Sequence, residues 1–502
     1  MKVELLKNII NKLITNNTHI LRNTILFFGI LYLTIYFCNH YFYRTFAFDY
    51  AAYNFAFYDF SHFRISDCPV YLTNHVNFLQ DHVSFTMFVF IPIYWIIGWL
   101  TQTYTLLIIQ TIIILYGGWA TYKLIELKTT NKIYPLLAIL QYFILFGRWT
   151  SFVTDCNLAI IASSMVPVFI YYFEKKLFFP FFLSFIFILI TREDMALWTF
   201  FIGLFFLTSH YRDLKMRGIS LIIIGASILY FFVTFHYIIP LLETPFKKFT
   251  LFNYTALGPN PTEALSFIIK HPIDTFKLFF INTSNDKVFD YVKFEFYYVY
   301  ILSGGFLLFF RPKYLLLFIP ILAKKMLNDG EIRWSIETYY SIEFVSILPL
   351  AIFLILLDLK TVNFRIFLLT IICLGTILID VVKLNVQTRR IDWIGDSKYA
   401  FYSKKMYTSD FDVNQVNKQL SIIPYNAKVS CSGSIVAHLA FREKIYFFPR
   451  VDDAEYLALF KNRDTYPLTN QQYNSEVSHY LVDKNWLPIV NNSTLIILKR
   501  IK

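Results

Sequence analysis

FDYAAYNFAFYDFSHFRISDCPVYLTNHVNFLQDH, residues 48–82, lies between the first long apolar run of the chain and the next. It carries the carboxylates Asp49, Asp59, Asp67 and Asp81 and the histidines His62, His75 and His82. Ionisable side chains are costly in hydrocarbon and usually mark function when they occur beside it. A stretch this rich in them, held between two membrane-bound segments, has to sit in water or in a wet cavity. It reads as the chemical centre of a polytopic membrane protein.

The rest of the chain agrees with that reading. Its 502 residues are 56% hydrophobic and only 16% charged, against about 25% charged in a soluble chain. Apolar runs of about 18 residues or more recur between residues 25 and 382, the signature of spanning helices. Residues 1–23 are polar and basic, with no small-residue cleavage site after them, so the first span is expected to stay as an anchor. The fold class expected is mainly α. A helix bundle of residues 1–383, with about eleven spans and one non-spanning apolar helix, is followed by a small extracytoplasmic α/β domain of residues 384–502.

The net charge of +12 does not indicate nucleic-acid binding. The Lys and Arg residues sit in short connectors at 123–132, 174–176, 210–217, 311–313 and 358–365, as the positive-inside rule distributes them. If residues 83–100 crossed the membrane, 123–132 would fall outside and every later connector would invert. If 83–100 dips in or lies along the surface, all five connectors fall inside, and this solution is preferred. It puts the N-terminus in the cytoplasm. The first loop (44–82), 148–155, 191–194, the long loop 241–290, 328–340 and the C-terminal domain then all face outward from the cytoplasmic membrane. Within the C-terminal domain, 444–448 and 494–498 read as strands, and 412–420 and 454–460 as helices. Cys38, Cys68, Cys156, Cys373 and Cys431 are scattered and support neither a zinc site nor a disulfide framework.

Asp49 is the leading catalytic candidate. Flanked by Phe48 and Tyr50 just past the first span, it would be partly desolvated and made more basic, fit to take a proton from an acceptor hydroxyl. An interfacial Asp also solvates a helix end or caps the next helix. Asp81 and His82 begin an apolar segment, either as a supporting pair or as an N-cap and its neighbour. Asp155 is either a further carboxylate of the site or another cap. Arg192, Glu193 and Asp194 interrupt apolar sequence on both sides: Arg192 is fit to hold a phosphate oxygen, or else pairs with Glu193 or Asp194. Lys247, Lys248 and Arg333 are candidates for an anionic head group, although loop lysines are usually only solvated. Glycine-rich phosphate loops, HExxH and GxSxG are absent.

FDYAAYNFAFYDF (48–60), LQDHVSFTMFVFIPIYW (79–95), FVTDCNLAIIASSMVPVFIYYFE (152–174) and ILITREDMALW (188–198), in that order, resemble the predicted membrane proteins of domain-of-unknown-function family 2079. The stretch 423–449, with His438 and Arg442, resembles that family's outer domain. Gln80 stands where the family has Gly, no Pro follows Ser84, and Cys156, Asn157 and Leu158 replace its His-Pro-Glu. The family looks like a branch of the GT-C integral-membrane glycosyltransferases. The resemblance implies an inverting sugar transfer from a polyprenyl-phosphate donor to a glycan, lipid or protein acceptor, with Asp49 as base. No cofactor is called beyond that lipid-linked donor, no metal ligands are assigned, and a divalent metal is left open. A transporter or flippase using the same charged cavity, and a scaffold acting through the C-terminal domain, are the alternatives from other classes.

Overall fold

Twenty-five residues, Asn17–Tyr41, form the first helix, and its outer faces show what surrounds it. Leu26, Phe27 and Ile30 are exposed, whereas Phe28, Tyr32, Ile35 and Tyr36 are buried against the bundle. An apolar side chain turned away from the core of a helix this long belongs in lipid. The computed structural model describes residues 17–73, 76–245, 252–284, 286–384, 398, 400–461 and 463–501. Among them, five helices are long and apolar enough to cross a membrane: Thr18–Tyr41, Thr86–Glu126, Leu214–Leu242, Tyr339–Asp358 and Val362–Lys383. The pair Ile133–Ile144 and Gly147–Thr154, bent by 44°, makes a sixth if taken as one span. Leu158–Glu174, Phe178–Thr191 and Met195–Ser209 are apolar but shorter. The molecule is thus a mainly helical membrane protein with a small C-terminal sheet.

The centre post is the helix Ile342–Asp358, buried on every side through Leu356. It is hydrophobic all round, as a helix walled by other helices must be. The helices Thr105–Glu126 and Leu158–Glu174 lie against each other so closely that Gly117 is required. A Cβ there would stand 2.3 Å from the Ser164 carbonyl oxygen and 2.4 Å from the Tyr142 hydroxyl. Gly117→Ala should therefore cost about 1–3 kcal/mol, read as a lower melting temperature of the detergent-solubilised protein. Gly218→Ala, with nothing within 4 Å of its Cβ, should cause no loss.

Residues 83–100 are helical in pieces, Thr86–Val89, Ile91–Ile93 and Trp99–Thr101 with a π-helical turn at Tyr94–Gly98. Gln102, at φ 45°, interrupts regular helix before Thr105–Glu126 begins. The helical run Thr86–Glu126 has 41 residues, roughly 60 Å at 1.5 Å per residue, about twice a bilayer core. The 22 residues of Thr105–Glu126 suffice to span on their own. Residues 296–310 and 314–327 are also broken. The helix Val292–Leu302 stops before Gly304 (φ 112°), two 3₁₀ segments follow, and Ile319–Met326 resumes.

The basic connectors meet at one end of the bundle. Lys128 and His210 pair with Glu174 at 2.6 and 2.8 Å, and Lys176 pairs with Asp213 at 3.0 Å. Arg311 lies 3.9 Å from Asp358, and the Arg365 guanidinium stands over the Tyr134 ring at the start of Ile133–Ile144. At the opposite end the first helix gives way to residues 44–82, and the C-terminal domain packs on that loop.

The domain is a five-stranded sheet in the order β2-β1-β3-β5-β4, with β1 Val429–Cys431, β2 Ile445–Phe447, β3 Tyr456–Phe460, β4 Trp486–Asn491 and β5 Leu495–Arg500. β1 runs parallel to β2 and β3, while β3/β5 and β5/β4 are antiparallel. The segment 454–460, read from sequence as a helix, contains β3 instead. It is a central strand buried on both faces, and such a strand shows a continuous apolar run with no period of two. The helix expected at 412–420 is present as Val413–Leu420. All five cysteines are free. The domain grips the first loop: Gly433 lies under the Phe46 ring, where a Cβ would come within 2.5 Å, and His438 is sandwiched between His40 and Tyr43 with ring centroids 3.9 Å from each.

Candidate functional site

Tyr43, at φ 56°, turns the chain out of the first helix. A π-helical turn, Ala47–Ala51, then leads into the helix Ala52–Ser61. Such turns are rare and concentrate at functional sites. Here the turn is anchored from beneath: Ala47, Tyr50 and Ala51 are buried, and the Tyr50 hydroxyl donates to the Thr103 carbonyl. The anchoring leaves the Asp49 side chain open to solvent. Asp49 caps no helix, since the turn follows Phe46 and the next helix follows Ala51. Among the described residues its carboxylate has no hydrogen-bond or ion-pair partner. Yet burial raises its pKa to about 6, His82 being the strongest charge opposing the rise. Asp49 is thus reached by water and still partly desolvated by the protein around it.

The cap readings of Asp81 and Asp155 are corrected by the structure. Asn77 and Gln80 form a capping box around the 3₁₀ turn Phe78–Gln80, Asp81 follows it, and the apolar helix starts only at Thr86. Leu158–Glu174 is capped by Asn157, whose side chain accepts from Ala159 N–H at 2.8 Å. Asp155 instead sits buried at φ 60°. Its Oδ2 lies 3.7 Å from Lys398 Nζ. Burial pushes its pKa to about 7, with the Lys398 charge opposing and Asp49 adding to the rise. Gln110 fixes this corner. Its Nε2 donates to the Asp155 carbonyl at 2.8 Å and to the Tyr36 hydroxyl at 2.6 Å, and its Oε1 accepts from Asn157 N–H.

His82 stands between two carboxylates, 3.6 Å from Glu193 through Nδ1 and 3.7 Å from Asp81 through Nε2. Burial works against its charge, but Glu193 outweighs it and the pKa is raised. The loop is stapled to the Arg192–Asp194 turn by the Phe85 N–H donating to the Ile190 carbonyl at 2.9 Å and by a 2.7 Å contact between the Thr86 and Thr191 hydroxyls. Arg192 pairs with Asp194, Nε to Oδ1 at 3.2 Å, so the ion-pair alternative is realised with Asp194, while Glu193 turns to His82. Lys324 Nζ reaches the other Asp194 oxygen at 2.8 Å and also contacts Glu343. Burial would raise Asp194, but Arg192 and Lys324 hold it well below the carboxylate range.

Asp49, Asp81, His82, Arg192 and Lys398 stand close enough that the last four all act electrostatically on the Asp49 carboxyl, and Asp49 acts on Asp155. Six sequence candidates thus gather at one end: Asp49, Asp81, His82, Asp155, Arg192 and, through Arg192, Asp194; Glu193 joins them on His82. Arg333 makes no ion pair among the described residues; its guanidinium lies over the Tyr340 ring at 5.6 Å. Lys247 and Lys248 lie outside the described residues, as does His75. The sequence reading missed Lys324, Glu343 and Lys398. Lys324 and Lys325 are two adjacent cations in an apolar run, the signal that should have marked them. Among the described residues no group of three or more His, Cys, Asp or Glu is arranged to hold a metal ion.

Each of the other carboxylates has a basic group within 4 Å: Asp81 and Glu193 share His82, Asp155 has Lys398, Asp194 has Arg192 and Lys324, and Glu343 has Lys324. Asp49 alone among these is left to act on something else. Chemically the arrangement offers an accessible carboxyl, its pKa raised to about 6, with His82, Lys398 and Arg192 acting on it. The model of the family described as Predicted membrane protein (DUF2079) matches residues 39–492. No curated protein matches the chain.

Proposed function

The chain belongs to the DUF2079 family of predicted membrane proteins, and we propose that it is a membrane glycosyltransferase acting on a polyprenyl-phosphate sugar. The observation that carries the proposal is the Asp49 carboxylate, which has no partner among the described residues while the carboxylates around it are paired. In the reaction, Asp49 takes the proton of an acceptor hydroxyl as its oxygen attacks the anomeric carbon. The bond from that carbon to the phosphate oxygen breaks on the opposite face, which inverts the centre. The leaving phosphate is held by Arg192 and Lys324, whose pairing with Asp194 and Glu343 keeps both charged and oriented. His82, with Asp81 and Glu193, fixes the wall beside Asp49.

This reading includes the topology. About eleven crossings, with 83–100 lying at the surface, put the basic connectors in the cytoplasm and the Asp49 end outside. Trp95, Ile96, Trp99 and Leu100 are exposed, as the interface-facing side of such a helix would be. The proposal is tested with purified protein in liposomes carrying polyprenyl-phosphate hexoses. Release of polyprenyl phosphate above the protein-free rate is the result expected, and none with any hexose would count against it.

A transporter is the second reading. The observation favouring it is Arg148, fully buried, over the Tyr142 ring at 4.8 Å, with no hydrogen bond from any guanidinium nitrogen among the described residues. An ionisable group so placed is a pathway candidate. Uptake of labelled substrate into vesicles without a transferred product would favour that reading.

A further inference from the structure

A cavity of about 230 Å³ opens where the C-terminal domain meets the first loop. It is separate from the charged cluster but shares a wall with it. The Phe46 backbone holds the Asp155 carboxyl down against its burial, while Phe46 also lines this cavity. Tyr43, Phe411 and Phe460 line it too, packed on one another with ring centroids 5.4–6.0 Å apart. Arg463 and Asp464 complete that wall.

The charges in this pocket are already balanced. Arg44 donates to the carbonyls of Lys405, Met406 and Thr408, each at 2.7 Å. Arg463 pairs with Asp410 and lies 4.6 Å over the Phe411 ring. Asp464 Oδ2 accepts from Ser434 N–H at 2.6 Å and from the Ser434 hydroxyl at 2.7 Å, and its other oxygen has no partner among the described residues. An anion would meet that carboxylate, and each guanidinium already holds a protein acceptor. A purely apolar guest would leave the carboxylate unpaired. Tyr43 and Asp464 both hold left-handed backbone, at φ 56° and 55°, and unfavourable backbone of this kind persists where the surroundings enforce it, often at ligand clamps.

We propose that this pocket binds a neutral sugar ring, its apolar face on the aromatic side chains and its hydroxyls donating to Asp464. The volume lies below the about 300–1,000 Å³ of sites for drug-sized ligands, room for one ring and not for an oligosaccharide. As the seat of a sugar in the acceptor, the pocket rests on the transferase reading; as a sugar site it does not.

The test is saturation-transfer NMR on the full-length protein in micelles, with the methyl glycosides of glucose, galactose, mannose and N-acetylglucosamine as probes. At least one should receive saturation from aromatic protons. The signal should fall several-fold in Phe411→Leu, which keeps apolar volume but removes the ring face. It should also fall in Asp464→Asn, a residue that tolerates the same backbone. It should persist in Asp49→Asn. No transfer to any probe, or transfer that the two pocket variants leave unchanged, would overturn the proposal. Loss in Asp49→Asn alone would overturn it as well, by assigning the sugar to the charged cavity. Glycoside binding without donor turnover would leave the pocket standing and sink only the transferase.

Discussion

Asp49→Asn should lower donor turnover by about 10²–10⁴-fold, the usual worth of a positioned general base, while the protein inserts and folds as before. Among the described residues, no cap, hydrogen bond or ion pair is lost with the charge. In the wild type, kcat/KM should fall as pH drops through about 6, where Asp49 takes up its proton. The same shift fixes a stability difference. The folded pKa is raised from 3.8 to about 6, so the stability this group contributes is full below about pH 4 and is lost as pH rises through 6. Asn has no such loss. The variant should melt level with the wild type near pH 4 and above it from pH 6 upward. A dead enzyme that is more stable at neutral pH marks a functional carboxylate; a dead and less stable one would mark a structural role.

Arg192→Lys should separate phosphate binding from the ion-pair network. The charge survives, so Asp194 keeps a cation and the melting temperature should stay close to that of the wild type. The planar, two-pronged donor is lost, and KM for the lipid-phosphate donor should rise about 10–100-fold, the equivalent of about 1.4–2.8 kcal/mol. Arg192→Met should behave differently. It strips Asp194 of one of its two cations and weakens the buried network, at about 3–5 kcal/mol by analogy with broken buried pairs, so expression or folding should suffer. Wild-type KM in Arg192→Lys would leave Arg192 as scaffolding alone.

Much of the architecture was legible because lipid imposes long apolar helices and charge must leave it. The basic connectors do gather at one end, as Glu174 with Lys128 and His210 shows, and the C-terminal domain lies with the first loop, packing on it in a way no sequence pattern announced. What periodicity could not reach was set by burial or by tertiary contact. β3 looked helical because both of its faces are buried. Asp81 and Asp155 looked like caps because Asn77 and Asn157, which hold those positions, lie within a few residues of them. Lys324 and Glu343 fell inside runs read as spans, and only the folded chain brings them to Asp194 and to each other. Asp49 was found from its place beside the first span, but its lack of a partner among the described residues is a property of the assembled site.

The central claim is a wet cavity, facing outward, with Asp49 on its wall. It is tested most directly by Asp49→Cys in sealed right-side-out vesicles, probed with a membrane-impermeant maleimide. The account predicts prompt labelling from outside, above the background of the five native cysteines, and slower labelling when polyprenyl phosphate is present. Labelling only after the vesicles are opened, or no labelling in the folded protein, would contradict it.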